Sequence, residues 1–295
     1  MPSTLFVKVA VKMLSSTTTS AIGSYLKAAP SLKLPLPNKR LKREDCGMNI
    51  EDLEKMTLEK IATMKAPSEC GVIPKTTPVV SFGDFTWARI ATLGINPSSA
   101  EFLSGGNLLA REKKRLADEE FGEAAPLDVW FHCKHSFLVN PYWSWFSHLE
   151  DLLQRIGASY KSNACHLDLS PWATDPIFGK LTKDQQNKLL SHDRDFLNWQ
   201  IAESPIETIL FNGSTVHKTI ASSQNYHLQK VGEIAYTSGG QIRTSELISG
   251  DGPRGESIFG WTVNLQAMQA TVEERSDVMS KLSDWLIKEC KLNIL

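Results

Sequence analysis

Residues 88–102, ARIATLGINPSSAEF, change character partway through, and that change decides how the chain folds. A run of small and β-branched residues from Ala88 to Ile95 has the composition of a buried strand. It ends in Gly94-Ile95-Asn96-Pro97-Ser98-Ser99. Pro97 has no N–H to give a ladder and pushes Asn96 out of the helical region, so the strand stops there. Ser98, Ser99 and Glu101 then have the composition of a helix start. In an open α/β sheet, ligands bind outside the carboxyl ends of the strands. Asn96, held by a proline at such an end, is therefore a candidate site residue.

The same alternation continues along the chain. Apolar runs near 162–169, 207–212 and 259–264 predict three more strands. Between them lie amphipathic patterns: NIEDLEKMTLEKIATMK (49–65), a loop and charged helix over 99–122, an aromatic-fronted helix over 140–157, a long helix over 181–204 and a closing helix over 271–292. Strands alternating with helices predict an α/β fold: three α/β/α layers around a central parallel four-stranded sheet.

Three of these strands end alike, in an apolar run, then an amide or carboxylate, then a turn: LGINPSS, HLDLSPW and TVNLQAMQ. In a parallel sheet these ends share one edge, so Asn96, Asp168 and Asn264 are expected to converge in one pocket. LFNGSTV reaches the same edge, where Gly213 turns the backbone into a helix starting at Ser214, whose free N–H groups suit an anion such as phosphate.

Composition bounds the rest. The chain has 295 residues and a formal net charge of −1, enough length for a full core and no global basic field. The first 43 residues, however, hold eight Lys or Arg and no acid, ending in Lys39-Arg40-Leu41-Lys42-Arg43. Residues 1–45 are thus a basic extension: a targeting peptide, an arm for a polyanion, or a simple tail. Residues 46–295 form the single remaining domain. The five cysteines contain no C-x-x-C pair, which fits a reducing, cytoplasmic setting and argues against zinc or iron–sulfur ligation. His132, Cys133 and His135 lie close in sequence but lack a second ligand pair, so packing is the expectation and no metal or cofactor is assigned. No run has the length of a membrane helix.

GINPSSAEF resembles the first motif of the uracil-DNA glycosylase superfamily, above all its mismatch-specific uracil/thymine branch, whose pattern is Gly-Ile-Asn-Pro-Gly. NLQAMQ can be laid on the later motif of that branch, Asn-Pro-Ser-Gly-Leu-Ser, with Asn264 on its Asn and Met268 on its Leu; Leu265 and Gln266 replace the Pro-Ser. The resemblance covers roughly residues 80–290 and implies a uracil-DNA glycosylase-like fold. It also implies a monofunctional DNA glycosylase, acting as a monomer on double-stranded DNA with a flipped base.

Under that resemblance Asn96 orients the attacking water, and Asn264 donates to the base oxygen O2, where charge grows. Met268 fills the space the base vacates, or else simply packs under the last helix. Gly94, Ile95, Pro97, Ser98, Glu101, Gly213, Ser214 and Gln266 are expected around the substrate. The narrow uracil enzymes block the base's C5 position with a tyrosine after the motif proline; Ser98 leaves it open here. Asp168 stands where those enzymes read uracil with an Asn. A carboxylate only accepts hydrogen bonds, which suits the N4 amino group of cytosine and opposes the O4 of uracil. The expected substrate is therefore a C5-enlarged cytosine, such as the glucosylated hydroxymethylcytosine of phage DNA, removed as antiviral defence. Asp168 can instead be catalytic, activating water or protonating the leaving base.

Tyr142 or Trp143, in NPYWSWF, is expected as the platform for the flipped base, with Phe102 a weaker choice. Glu101 and His135 are candidates for the rim, and Lys134, Arg111 and Arg115 for phosphates. Other readings are a uracil/thymine mismatch glycosylase, a non-catalytic nucleic-acid-binding module of the same fold, and a hydrolase of free nucleosides.

Overall fold

The structure is a computed structural model and describes residues 48–104, 107–108, 125–139, 142–221 and 226–290. The basic extension, Arg111, Arg115 and nearly all of the charged helix expected before residue 122 lie outside the described residues. Six strands form one sheet: β1 (Ile90–Gly94), β2 (Ala164–Asp168), β3 (Thr208–Asn212), β4 (His227–Ser238), β5 (Gln241–Asp251) and β6 (Ser257–Trp261). Their order across the sheet is β2-β1-β3-β6-β5-β4. β2, β1, β3 and β6 are mutually parallel, and β5 and β4 add on antiparallel. The fold is thus α/β with a mixed sheet, which corrects the expectation of a purely parallel four-stranded one. The β4–β5 hairpin is largely exposed, and in β5 only Ser245, Leu247 and Ile248 are buried, too short a run for the sequence to signal a core strand.

The helices are α1 (Ile50–Thr63), α2 (Pro126–Lys134), α3 (Trp143–Arg155), α4 (Lys183–His192), α5 (Arg194–Glu203), α6 (Ser214–Ala221) and α7 (Val272–Cys290), with a single turn at Ser136–Val139 and a short strand pair, Leu103–Ser104 with Asn107–Leu108. Asn49 caps α1 by accepting from Asp52 N, and Thr182 with Gln185 forms a capping box on α4. The long helix expected over 181–204 is broken at Asp193, whose backbone leaves the helical region between α4 and α5. Its carboxylate accepts from the indole of the fully buried Trp172 at 2.8 Å. Burial pushes the Asp193 carboxyl up, against the pull of His192 and this hydrogen bond. No helix among the described residues is long and apolar enough to cross a membrane.

Parallel registration sets which side chains share a face. Thr92 pairs with His166 and Leu210, and Leu210 with Phe259. Gly94 pairs with Asp168, and Asn212 with Trp261. All of these therefore lie on one face. On that face the α3 residue Phe146 sits 5.1 Å from the His166 ring and the α7 residue Trp285 sits 5.8 Å from Phe259. β2, an edge strand, is closed on its outer side by Phe82, whose N–H and C=O pair with those of His166 at 2.9 and 2.8 Å.

Leu93, Phe211 and Ile258 alternate onto the other face and are completely buried. Phe211→Ala should cost about 3–5 kcal/mol, the range for deleting a large ring from a packed interior. Urea unfolding of the two proteins measures it.

Candidate functional site

A cavity of about 450 Å³ opens at the carboxyl edge of the parallel strands. Its size falls in the range of small-ligand sites. Asn96, Asp168 and Asn264 all line it, and so does His166.

Asn96 follows β1 directly, in the bend Ile95–Asn96. Its Nδ2 donates to the Trp172 carbonyl at 3.0 Å and to Thr174 Oγ1 at 3.2 Å. A carbonyl partner can be satisfied only by the NH₂ group, so the amide's orientation is fixed. The carbonyl oxygen is what Asn96 offers to the cavity. Ser98, expected to begin a helix, instead caps a single 3-10 turn, Ser99–Glu101, by accepting from Ala100 N. Gly94, Ile95, Pro97 and Ser98 lie along the wall. Glu101 does not: it is buried behind the turn, beside the fully buried Phe102.

Asp168 ends β2 with its side chain 4% exposed, and its Oδ1 lies 3.4 Å from His166 Nε2. Gly94 faces both across the register. A Cβ there would stand 2.7 Å from His166 Nε2 and closer still to Asp168 Oδ1. The glycine of GINPSS is thus a space requirement of the site.

At the other end, Asn212 closes β3. Its Oδ1 accepts from Trp261 Nε1 at 2.9 Å and Leu265 N at 3.2 Å; its Nδ2 donates to Gln266 Oε1 at 2.6 Å. Asn264 Oδ1 accepts from the N–H groups of Gln266 and Ala267 at 3.1 and 3.3 Å. Two amide nitrogens are left over: Asn264 Nδ2 at the exposed rim, and Gln266 Nε2, buried and without a partner among the described residues. Gly213 takes φ 97°, and Gly213 and Ser214 lead into α6 along the wall. The cavity therefore has an acceptor end, Asn96 Oδ1 and Asp168, and a donor end, Asn264 and Gln266.

Tyr142 and Trp145 line the mouth. Trp143 turns away, its ring 5.4 Å from Phe137 with Lys161 above it. Met268 is 8% exposed and belongs to the core rather than to this cavity. His135 lies against Phe131, and burial pulls its imidazole pKa down. Cys133 is buried, and Lys134 pairs with Glu54 and Asp84 on the α1 side, so none of FHCKH reaches the cavity. Asn212 and His166 were not anticipated. LFNG repeats the pattern of apolar run, amide and turn already seen three times, so the sequence carried that signal. His166 lies inside an apolar run and gave none.

No protein-family model matches the chain, and no curated protein was found to match it.

Gly94→Ala should destabilise the fold by about 1–3 kcal/mol through overpacking. Urea unfolding tests this, and unchanged stability would mean that Asp168 and His166 move aside freely.

Proposed function

We propose that the protein is a DNA glycosylase that removes a cytosine-type base enlarged at C5. The observation that carries this reading is the pair of acceptors at the strand ends: Asn96, tied back through its nitrogen so that a carbonyl oxygen remains, and Asp168 on the neighbouring strand. A carbonyl oxygen holds a water by accepting its hydrogen bond and leaves an oxygen lone pair free to attack. Departure of a base makes the sugar cation-like and leaves negative charge on the base. Such an electrophile needs a placed water more than a strongly deprotonated one.

The polarity of the cavity supports the base type. Cytosine presents an amino group at N4 and a carbonyl at O2. Asp168 accepts from the first, while Asn264 Nδ2 is the donor for the second, with Gln266 Nε2 buried behind it. Ser98 leaves room beside C5, and Tyr142 or Trp145 supplies a ring at the mouth. The resemblance of GINPSSAEF to the first glycosylase motif points the same way. With Met268 in the core, the role that the resemblance gives it is open to another side chain, and Ile177, 57% exposed on the cavity wall, has the chemistry for it.

The test is incubation of the purified protein with duplexes carrying uracil, cytosine, hydroxymethylcytosine or glucosylated hydroxymethylcytosine, with released bases identified by mass spectrometry. Release of a cytosine-type base is expected; a binding module releases none, and a nucleoside hydrolase acts on nucleosides but not on DNA. Asn96→Ala should fold and lose on the order of 10² in turnover, as when one preorganised polar group is removed.

Asp168→Asn should shift preference from cytosine-type toward uracil-type bases by roughly ten- to a hundredfold, since one bidentate contact gives about 1–3 kcal/mol of discrimination. Excision of both base types by wild type and variant measures the shift. Equal loss on both would make Asp168 catalytic rather than base-reading.

A further inference from the structure

Three buried side chains stand behind Asp168 in a line. The Tyr160 hydroxyl lies 2.6 Å from Thr92 Oγ1, and Thr92 Oγ1 lies 2.7 Å from His166 Nδ1. His166 Nε2 faces Asp168 Oδ1 at 3.4 Å. Tyr160, Thr92 and His166 are 4%, 1% and 5% exposed, so each of their protons must find a partner inside the protein.

The direction of the chain follows by elimination. Thr92 Oγ1 is the one hydrogen-bonding atom in reach of the Tyr160 hydroxyl among the described residues. Burial holds the Tyr160 phenol well above its ordinary pKa, so the group keeps its proton. A buried O–H left without an acceptor is strongly unfavourable. Tyr160 therefore donates to Thr92. The Thr92 proton then has two acceptors to choose from, His166 Nδ1 at 2.7 Å and the Cys165 carbonyl at 3.5 Å. The shorter contact takes it, since 3.5 Å lies outside the usual range for O–H donors. With Nδ1 accepting, the ring carries its proton on Nε2, facing Asp168. The Phe146 and Phe82 rings pack on His166 at 5.1 and 5.8 Å and offer no competing acceptor.

We infer that His166 is a positioning residue: the Tyr160–Thr92–His166 chain locks its tautomer with the Nε2 proton on the side of Asp168, whose Oδ1 lies 3.4 Å away, longer than a hydrogen bond, so that the fixed ring dipole orients the carboxylate at the cavity. The tautomer stands on the hydrogen bonds alone. The use made of Asp168 rests on the glycosylase reading above.

The experiment has two parts. Long-range ¹H–¹⁵N NMR of the full-length protein reports the tautomer, with the His166 signals assigned by their loss in His166→Gln. Wild type should show the proton on Nε2, and Thr92→Val should shift it wholly or partly to Nδ1. A wild-type ring protonated on Nδ1 alone, or a Thr92→Val spectrum identical to wild type, overturns the inference. In the second part, excision kinetics compare Thr92→Val with Thr92→Ser. Valine keeps the shape and loses the hydroxyl; serine keeps the hydroxyl and loses the methyl. The chain predicts roughly tenfold lower kcat/KM for the valine variant on the cytosine-type substrate, with the serine variant close to wild type. A purely packing role for Thr92 predicts the reverse order, and that order overturns the inference. If wild type releases no base, the enzymatic reading fails, while the NMR spectra still decide the tautomer.

Discussion

One side-chain amide, that of Asn212, makes the sheet and the last loop a single object. It sits at the end of the central strand β3, where it accepts from the Trp261 indole on the neighbouring strand and from the backbone of Leu265, and donates to Gln266. Trp261 is fully buried, so its indole N–H would be costly to leave unpaired. A shorter or apolar residue at position 212 strands that donor and unties residues 264–266 at once. The donor end of the cavity therefore takes its geometry from the centre of the sheet rather than from the loop's own preferences. The acceptor end is built the same way, from β1 and β2 in register, with Phe82 clamping the backbone of His166 from outside.

This division gives the cavity an electrostatic direction. Acceptors and donors stand at opposite ends of a site about 450 Å³ in volume, and each of the amides is fixed by a hydrogen bond that uses up its other pole. Asn96 spends its nitrogen on Trp172 and Thr174; Asn264 spends its oxygen on Gln266 and Ala267. Amides are ambidextrous in isolation, and these back-bonds remove the choice. A ligand that presents donor and acceptor the wrong way round meets groups that cannot turn to suit it.

Much of this was legible in the chain. The proline after Asn96 and the repeated apolar run, amide and turn placed three side chains that do line one cavity. What failed did so for physical reasons. The β4–β5 hairpin is too exposed to leave a hydrophobic run. The expected helix over 181–204 breaks at Asp193 because its carboxylate serves a buried tryptophan far away in the sequence. Trp143 and Trp145 are chemically alike and two residues apart, and only the rotation of α3 sends one onto Phe137 and the other to the cavity mouth. Met268 takes either a wedge role from the resemblance or simple packing under the last helix, and the structure shows it in the core. His166 is invisible as a site residue because its partners Thr92 and Tyr160 come from elsewhere in the chain.

The hairpin that the sequence did not announce also bears on whether the sheet can take on a strand from outside. A mixed sheet leaves two edges, and unpaired edges invite a strand from another chain. At β2 the backbone of Phe82 takes the outward N–H and C=O of His166, in the middle of the strand. At β4 twelve residues run along the outside, a length that would template pairing if it were flat and uniformly apolar. It is neither. The register slips between Lys230 and Gly232, and Lys230 stands there paired with Glu233 and Glu246 at 3.2 and 3.0 Å. Any incoming strand would have to follow a bulge and bury those charges. Pairing with a strand of another copy is thereby penalised at both margins among the described residues.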